Sequence, residues 1–217
     1  MSNLDNLPKI DIEVSNVDEN NKGFFLKIDT YTLKAKYDNG AESGAFGFDL
    51  IRRRKSQDAS AIIPYFVDEN GVTNVYLRSC LRPAIGLKSM PAGSRVSSSA
   101  NIWEIAAGVI EHGETPLATA KRELREEIGF DSKGLSFVQL GLPFYTSPGL
   151  SGEELYVFAV EVDPSKRLEP SLDGGEMEKR GVIQTIFLED TLNHIRYGEI
   201  KDAKSEIGLR RLQDIRS

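Results

Sequence analysis

The 217-residue chain has one cysteine, Cys80, one tryptophan, Trp103, and two widely spaced histidines, His112 and His194. A lone cysteine excludes an internal disulfide framework, and with so few Cys and His residues no zinc cage of the usual spacing can form. A reducing, cytoplasmic setting is therefore expected. Long apolar runs are missing too. Stretches such as Leu155 to Val160 fall far short of the ~20 residues that cross a bilayer, and Met1 to Pro8 holds no basic cluster leading into an apolar segment, so neither membrane nor export is expected. Positive charge is scarce, with 27 Lys and Arg against 33 Asp and Glu for a net charge of -6. That balance disfavours a nucleic-acid partner, which needs a basic face to displace phosphate counterions. A small anionic ligand bridged by a metal ion remains compatible.

What is present is ordinary globular composition, 40% apolar and 28% charged, in a chain long enough for one large domain and a small appendage. From Ile10 to about Arg54 the residues alternate as strands do, Phe24, Leu26 and Ile28 against Phe25, Lys27 and Asp29, with a hairpin-type turn at Asp38-Asn39-Gly40. A small antiparallel sheet is expected over 1–57, followed by a main domain over 58–217. In the latter, Ala61 to Val67 and Val72 to Arg78 flank a turn at Asp68 to Gly71, and Pro83 to Asn101 has the length of a functional loop. Strands are expected at Ile102 to Ala106, near Phe137, and at Leu155 to Val162 and Val182 to Phe187. A C-terminal helix should start at an Asp190 cap and stop at Gly198. Strands followed by mixed elements predict an α+β fold.

The spacing also predicts a helix over 116–128. Thr115 is a good N-cap, Pro116 a good first residue and Gly129 a good stop, while Leu117, Ala120, Leu124 and Ile128 share one face. Beside that stripe stand Glu123, Glu126 and Glu127. Like charges at i, i+4 repel, and carboxylates in a last turn oppose the helix dipole, so the cluster is unfavourable twice over unless a cation relieves it. A solvated acidic face is the plain alternative. Hard ions such as Mg²⁺ take carboxylates, substrate phosphates and water.

Around this helix the chain reads Gly108, five residues, Glu114, seven residues, then Arg122-Glu123-Leu124-Arg125-Glu126-Glu127-Ile128-Gly129-Phe130. It resembles the Nudix box at every fixed position. The resemblance implies an α/β/α sandwich and a hydrolase that attacks a diphosphate linked to another moiety. By position it makes Glu123, Glu127 and the Ala107 carbonyl the ligands of Mg²⁺, with Mn²⁺ as an alternative ion, and Glu126 an accessory ligand or water-holder. Arg122 and Glu114, next to Gly108 in the same box, become partners that orient the carboxylates.

Ser147-Pro148-Gly149-Leu150-Ser151-Gly152-Glu153-Glu154 is similar to the segment that carries the catalytic base in ADP-ribose pyrophosphatases. Glu153 is the aligned base, with Glu154 as the alternative. Arg82 stands where that family grips a substrate phosphate, and Arg54 in the basic run Arg52 to Lys55 is a further candidate for substrate contact. The same resemblance implies a homodimer in which N-terminal sheets are exchanged, and hydrolysis of ADP-ribose or a related nucleoside diphosphate sugar. The rivals are a nucleoside triphosphate sanitiser and a catalytically silent nucleotide-sugar sensor. Trp103 is expected in the core, and His112 and His194 outside the chemistry.

Overall fold

The computed structural model describes residues 12–13, 23, 25–54, 56–87, 95–96, 100–171 and 181–216. The fold is α+β, as expected. Its strands are β1 (Ile12–Glu13), β2 (Leu26–Leu33), β3 (Phe46–Arg53), β4 (Ala59–Val67), β5 (Thr73–Leu81), β6 (Arg95–Val96), β7 (Asn101–Glu104), β8 (Ala106–Val109), β9 (Phe137–Gln139), β10 (Phe144–Tyr145), β11 (Glu154–Glu161) and β12 (Ile183–Phe187). The helices are α1 (Pro83–Leu87), α2 (Pro116–Glu123, continued by a wider turn Leu124–Ile128), α3 (Leu188–Arg196) and α4 (Ala203–Arg216).

The main sheet runs β10-β11-β4-β5-β12, with β9 on β11, β8 on β4 and β7 on β5. Only β11 and β4 pair in parallel among these described strands. Residue parity explains the two covered faces, since successive side chains of a strand point to opposite sides. Ala61, Ile63, Val75, Leu77, Val157 and Ala159 pack with Leu188, Leu209 and Leu212 of α3 and α4. Their neighbours Ile62, Tyr76, Phe158 and Val160 pack with Ala120, Leu124 and Ile128 of α2. The sheet is thus sandwiched between helices, and its central strands are apolar on both faces.

One strand expected over 102–106 is two. β4 and β5 pair only near their turn, over 65–67 and 73–75, and then part; β7 fills the gap on β5 and β8 on β4. The change of partner falls at Ile105, whose amide donates to Ser205 Oγ at 2.9 Å rather than to a strand. Trp103 is wholly buried in the core.

Within the expected long loop, α1 occupies 83–87, and β6 pairs with β1. Lys88, with residues 88–94 and 97–99, lies outside the described residues, as do Phe24, Lys55 and most of 1–22. At the C-terminus, α3 begins at Leu188 after Phe187, so Asp190 sits inside the first turn instead of capping it. An acid there still complements the helix dipole. Gly198, at φ +74°, follows the end of α3 as expected.

β2 and β3 form a separate two-stranded sheet in register Leu26↔Arg53 to Leu33↔Phe46. Its apolar side chains remain largely in water: Phe25, Ile28, Phe46 and Phe48 are all exposed.

Candidate active site

Helix α2 starts as its sequence dictates. Thr115 Oγ1 accepts from the Ala118 amide at 3.2 Å, and Pro116 takes the first helical position. Its end departs from a regular helix. The Gly129 amide donates to Leu124 O at 3.0 Å, an i to i+5 bond, with Gly129 left-handed at φ +98°. Such a wide turn rotates the residues within it and often marks a functional site. Glu123 and Glu127, which an ideal helix would stack, are thereby aimed at different partners.

Glu123 is turned to β8 and the open cleft beyond it. A β-carbon on Gly108 would lie 1.7 Å from Glu123 Oε1, so the carboxylate fills space that only glycine leaves. Arg122 gathers the acids around it. Its Nη1 donates to Glu123 Oε1 at 2.5 Å and Glu126 Oε2 at 3.0 Å, its Nε to Glu114 Oε1 at 3.1 Å, and its Nη2 to the Val109 carbonyl at 3.0 Å. The hydrogen bond from Arg122, helped by those from Thr119 and the Glu111 amide, lowers the Glu114 carboxyl to about 2. Burial opposes the Arg122 charge, yet Glu114, Glu123 and Glu126 outweigh it and hold the guanidinium above its ordinary range.

Glu127 is held elsewhere. One oxygen pairs with the buried Arg78 of β5, and the other accepts from the Ala107 amide at 2.9 Å. The Ala107 amide therefore faces the acidic helix rather than β4, and in extended backbone its carbonyl points the same way. Burial pushes the Glu127 carboxyl up to about 7 against the pull of Arg78.

The cleft, of about 620 Å³, opens at the end of the sheet where β4 and β11 begin and β8 ends. Arg53, Arg82, Arg122, Lys201 and Lys204 line it together with Glu111, Glu123, Glu153 and Asp202. A chain of net charge -6 thus concentrates cations where an anion would enter, which draws such ligands in.

Glu153 and Glu154 part company here. Glu153 lines the cleft and pairs with Arg53. Glu154 accepts from the Tyr145 and Tyr156 hydroxyls, both at 3.0 Å. Arg82 reaches the cleft while its Nε and Nη2 donate to Glu104 at 3.2 and 2.5 Å. Glu104 is buried and also takes Lys204 Nζ at 2.7 Å, and Lys204 in turn meets Asp202 at 2.9 Å. Burial would raise the Glu104 carboxyl, but Lys204 and Arg82 hold it below its ordinary value.

Arg54, singled out from the sequence, is exposed and donates to the Gly23 carbonyl at 3.1 and 3.3 Å; its neighbour Arg53 is the one that lines the cleft. Sequence reading also passed over Arg78, Glu104, Asp202, Lys201 and Lys204. Pleat parity put Arg53 opposite Arg52 and Arg54, but nothing in the sequence said which face met the cleft. His194 is buried and bonded through Nδ1 to Glu199, and exposed His112 lies outside the cleft lining.

Among the described residues no three His, Cys, Asp or Glu side chains converge into a group that could hold a metal ion. The donors nonetheless suit a hard cation in kind: carboxylate oxygens of Glu123 and Glu126 drawn to one guanidinium nitrogen, and Glu123 cradled against a glycine.

Fold and site together define an α+β protein whose acidic helix and cation-lined cleft suit a phosphate-bearing ligand. Residues 92–193 match the NUDIX domain. An ADP-ribose pyrophosphatase of Bacillus subtilis (strain 168) is 38% identical over 112 residues, 52% of this chain and 57% of the relative. A methanol dehydrogenase activator of Bacillus methanolicus is 32% identical over 113 residues, 52% of this chain and 58% of the relative. An ADP-ribose pyrophosphatase of Haemophilus influenzae (strain ATCC 51907 / DSM 11121 / KW20 / Rd) is 29% identical over 214 residues, 98% of this chain and 91% of the relative. The chain spans little more than half the length of the first two relatives.

Proposed function

We propose that the protein is a Nudix diphosphatase that uses Mg²⁺, or Mn²⁺ in its place, to split the diphosphate of ADP-ribose or a related nucleoside diphosphate sugar. The products are a nucleoside monophosphate and a sugar phosphate. The observation that carries this reading is the meeting of Glu123 and Glu153 with Arg53, Arg82 and Arg122 in one cleft.

Glu123, Glu127 and the Ala107 carbonyl would hold the ion, with Glu126 as an accessory ligand. Bound there, it would supply charge neutralisation for the diphosphate and make the attacking water more acidic. Glu153 takes the proton of the attacking water as general base. Water oxygen bonds to one phosphorus, the bridging P–O bond breaks, and the leaving phosphate carries the bond's electrons away. Arg82 grips a substrate phosphate with a planar fork, while Arg122 and Glu114 keep the carboxylates of α2 in place. No covalent enzyme intermediate is required.

The β2–β3 sheet is the proposed dimerisation element, paired or exchanged between two chains, because two strands alone are marginal in water. The buried free thiol of Cys80 fits a cytoplasmic location.

The Bacillus methanolicus relative, named as an activator of another enzyme, supports a second reading, a nucleotide-sugar sensor without turnover. A panel of ADP-ribose, other nucleoside diphosphate sugars and nucleoside triphosphates, with products identified by mass, separates these readings. Release of a monophosphate and a sugar phosphate is expected. Binding without product would favour the sensor, and release of pyrophosphate from triphosphates alone would overturn the proposal.

A further inference from the structure

Strand β3 grips the loop that bears Glu153 at two points. The Ile51 amide donates to the Leu150 carbonyl at 2.8 Å, and the Arg53 guanidinium pairs with the Glu153 carboxylate. Arg53 is itself anchored: its amide donates to Gln57 Oε1 at 3.1 Å, and its Nη1 to the Gln57 carbonyl at 3.2 Å. The loop's own bonds are local, from the Leu150 and Ser151 amides to Ser147 O and from the Glu153 amide to Ser151 Oγ.

The other cleft guanidiniums are tied mainly to carboxylates of regular structure. Arg82 is tied to buried Glu104 on β7, and Arg122 to Glu123 and Glu126 on its own helix and to Glu114, which precedes that helix and lies outside the cleft lining. Arg53 differs, since its carboxylate partner sits on an irregular loop and faces the same cleft. A diphosphate offers a guanidinium fork more charge and more acceptor oxygens than one carboxylate does. A ligand phosphate would therefore compete with Glu153 for Arg53.

We propose that Arg53 is a positioning residue that exchanges partners: it holds Glu153 in the ligand-free protein and passes its guanidinium to the ligand's diphosphate, leaving the Glu153 carboxylate free to accept a proton. This rests on Glu153 being the base. It makes the N-terminal sheet part of the control of that base, through Ile51 and Arg53 together.

The test is a binding cycle read by calorimetry, with inorganic pyrophosphate as the probe, with and without Mg²⁺. Because the ligand must break the pair in the wild type, Glu153→Gln binds pyrophosphate about two- to fivefold tighter, the range expected of a partly exposed ion pair. Arg53→Gln binds more weakly than wild type, and Arg53→Gln/Glu153→Gln is no tighter than Arg53→Gln. Arg53→Lys keeps part of the gain. Hydrogen exchange over 147–153 gives a second readout: ligand-free Arg53→Gln exchanges faster than wild type, and saturating pyrophosphate abolishes the difference. Equal affinity of Glu153→Gln and wild type, or the same gain in the Arg53→Gln background, overturns the exchange. ADP-ribose turnover by the wild type is assayed in parallel. Its absence with the binding cycle intact removes the hydrolase reading alone; its presence without the cycle removes the exchange alone.

Discussion

Arg78 and Glu127 form an ion pair almost sealed from water, their side chains 2% and 7% exposed; Glu123 one turn earlier is as buried, but it lines the cleft and its partner Arg122 is 26% exposed. Two acids of one motif are thus predicted to fail differently. Glu127→Gln removes the charge that balances a buried guanidinium and should cost about 3–5 kcal/mol of stability. Glu123→Gln leaves Arg122 its pairs with Glu114 and Glu126 and should unfold close to the wild-type temperature. Both should lower hydrolysis by orders of magnitude and weaken Mg²⁺ binding. Calorimetric melting beside a metal titration checks this, and equal melting of the two variants would count against the division of roles.

Gly108→Ala puts a methyl group where Glu123 Oε1 lies. Overpacking of this kind costs about 1–3 kcal/mol, and here the carboxylate is what must move. Turnover is expected to fall at least about tenfold with a melting shift of only a few degrees. An active Gly108→Ala enzyme would show that Glu123 is free to leave its cradle without loss.

Glu153→Gln is expected to cut turnover by roughly 10² to 10⁴, as for a lost general base, with ligand affinity at least as high as in the wild type. Glu154→Gln, which keeps one acceptor oxygen for the Tyr145 and Tyr156 hydroxyls and lies outside the cleft lining, should stay within about threefold of wild type. Product assays on both variants decide between the neighbours; the reverse order would move the base to Glu154.

Burial, reinforced by nearby Glu104, pushes the Cys80 thiol up to about 12 from an ordinary 9.0. The folded state therefore keeps its proton at a pH where the unfolded chain has lost it. The resulting stabilisation is complete below pH 9 and falls as pH rises from 9 towards 12. Native protein should resist a thiol reagent at pH 8 and react fully in denaturant. Between pH 9 and 12, Cys80→Ala should lose stability less steeply than wild type in urea titrations.

The exposed Phe46 and Phe48 lie opposite Leu33 and Tyr31 across β2 and β3 and so share one face. If that sheet joins two chains, light scattering at micromolar concentration gives twice the chain mass. Phe46→Glu with Phe48→Glu should shift it to one chain and lower activity. A fully active wild-type monomer would sink the dimer.

The sequence alone determined what depends on near neighbours. Thr115, Pro116 and Gly129 mark the ends of α2 because caps and stops act within a turn, and the spacing from Gly108 to Phe130 carried the resemblance to the Nudix box. Short apolar runs likewise located the strands from Leu155 and from Ala61, since a central strand is buried on both faces. The tertiary structure decided what depends on which surfaces meet. The partner change at Ile105 follows from β4 and β5 parting, and the wide last turn of α2 sends Glu127 to Arg78 instead of leaving it stacked on Glu123. Arg53 rather than Arg54 lines the cleft because the sheet presents that face, and Asp202 and Lys204 join it from the start of α4, Lys204 meeting Glu104 of β7 from 100 residues away. No local pattern encodes such a meeting; it arises when burying both faces of the sheet fixes where the ends of its strands and helices come together.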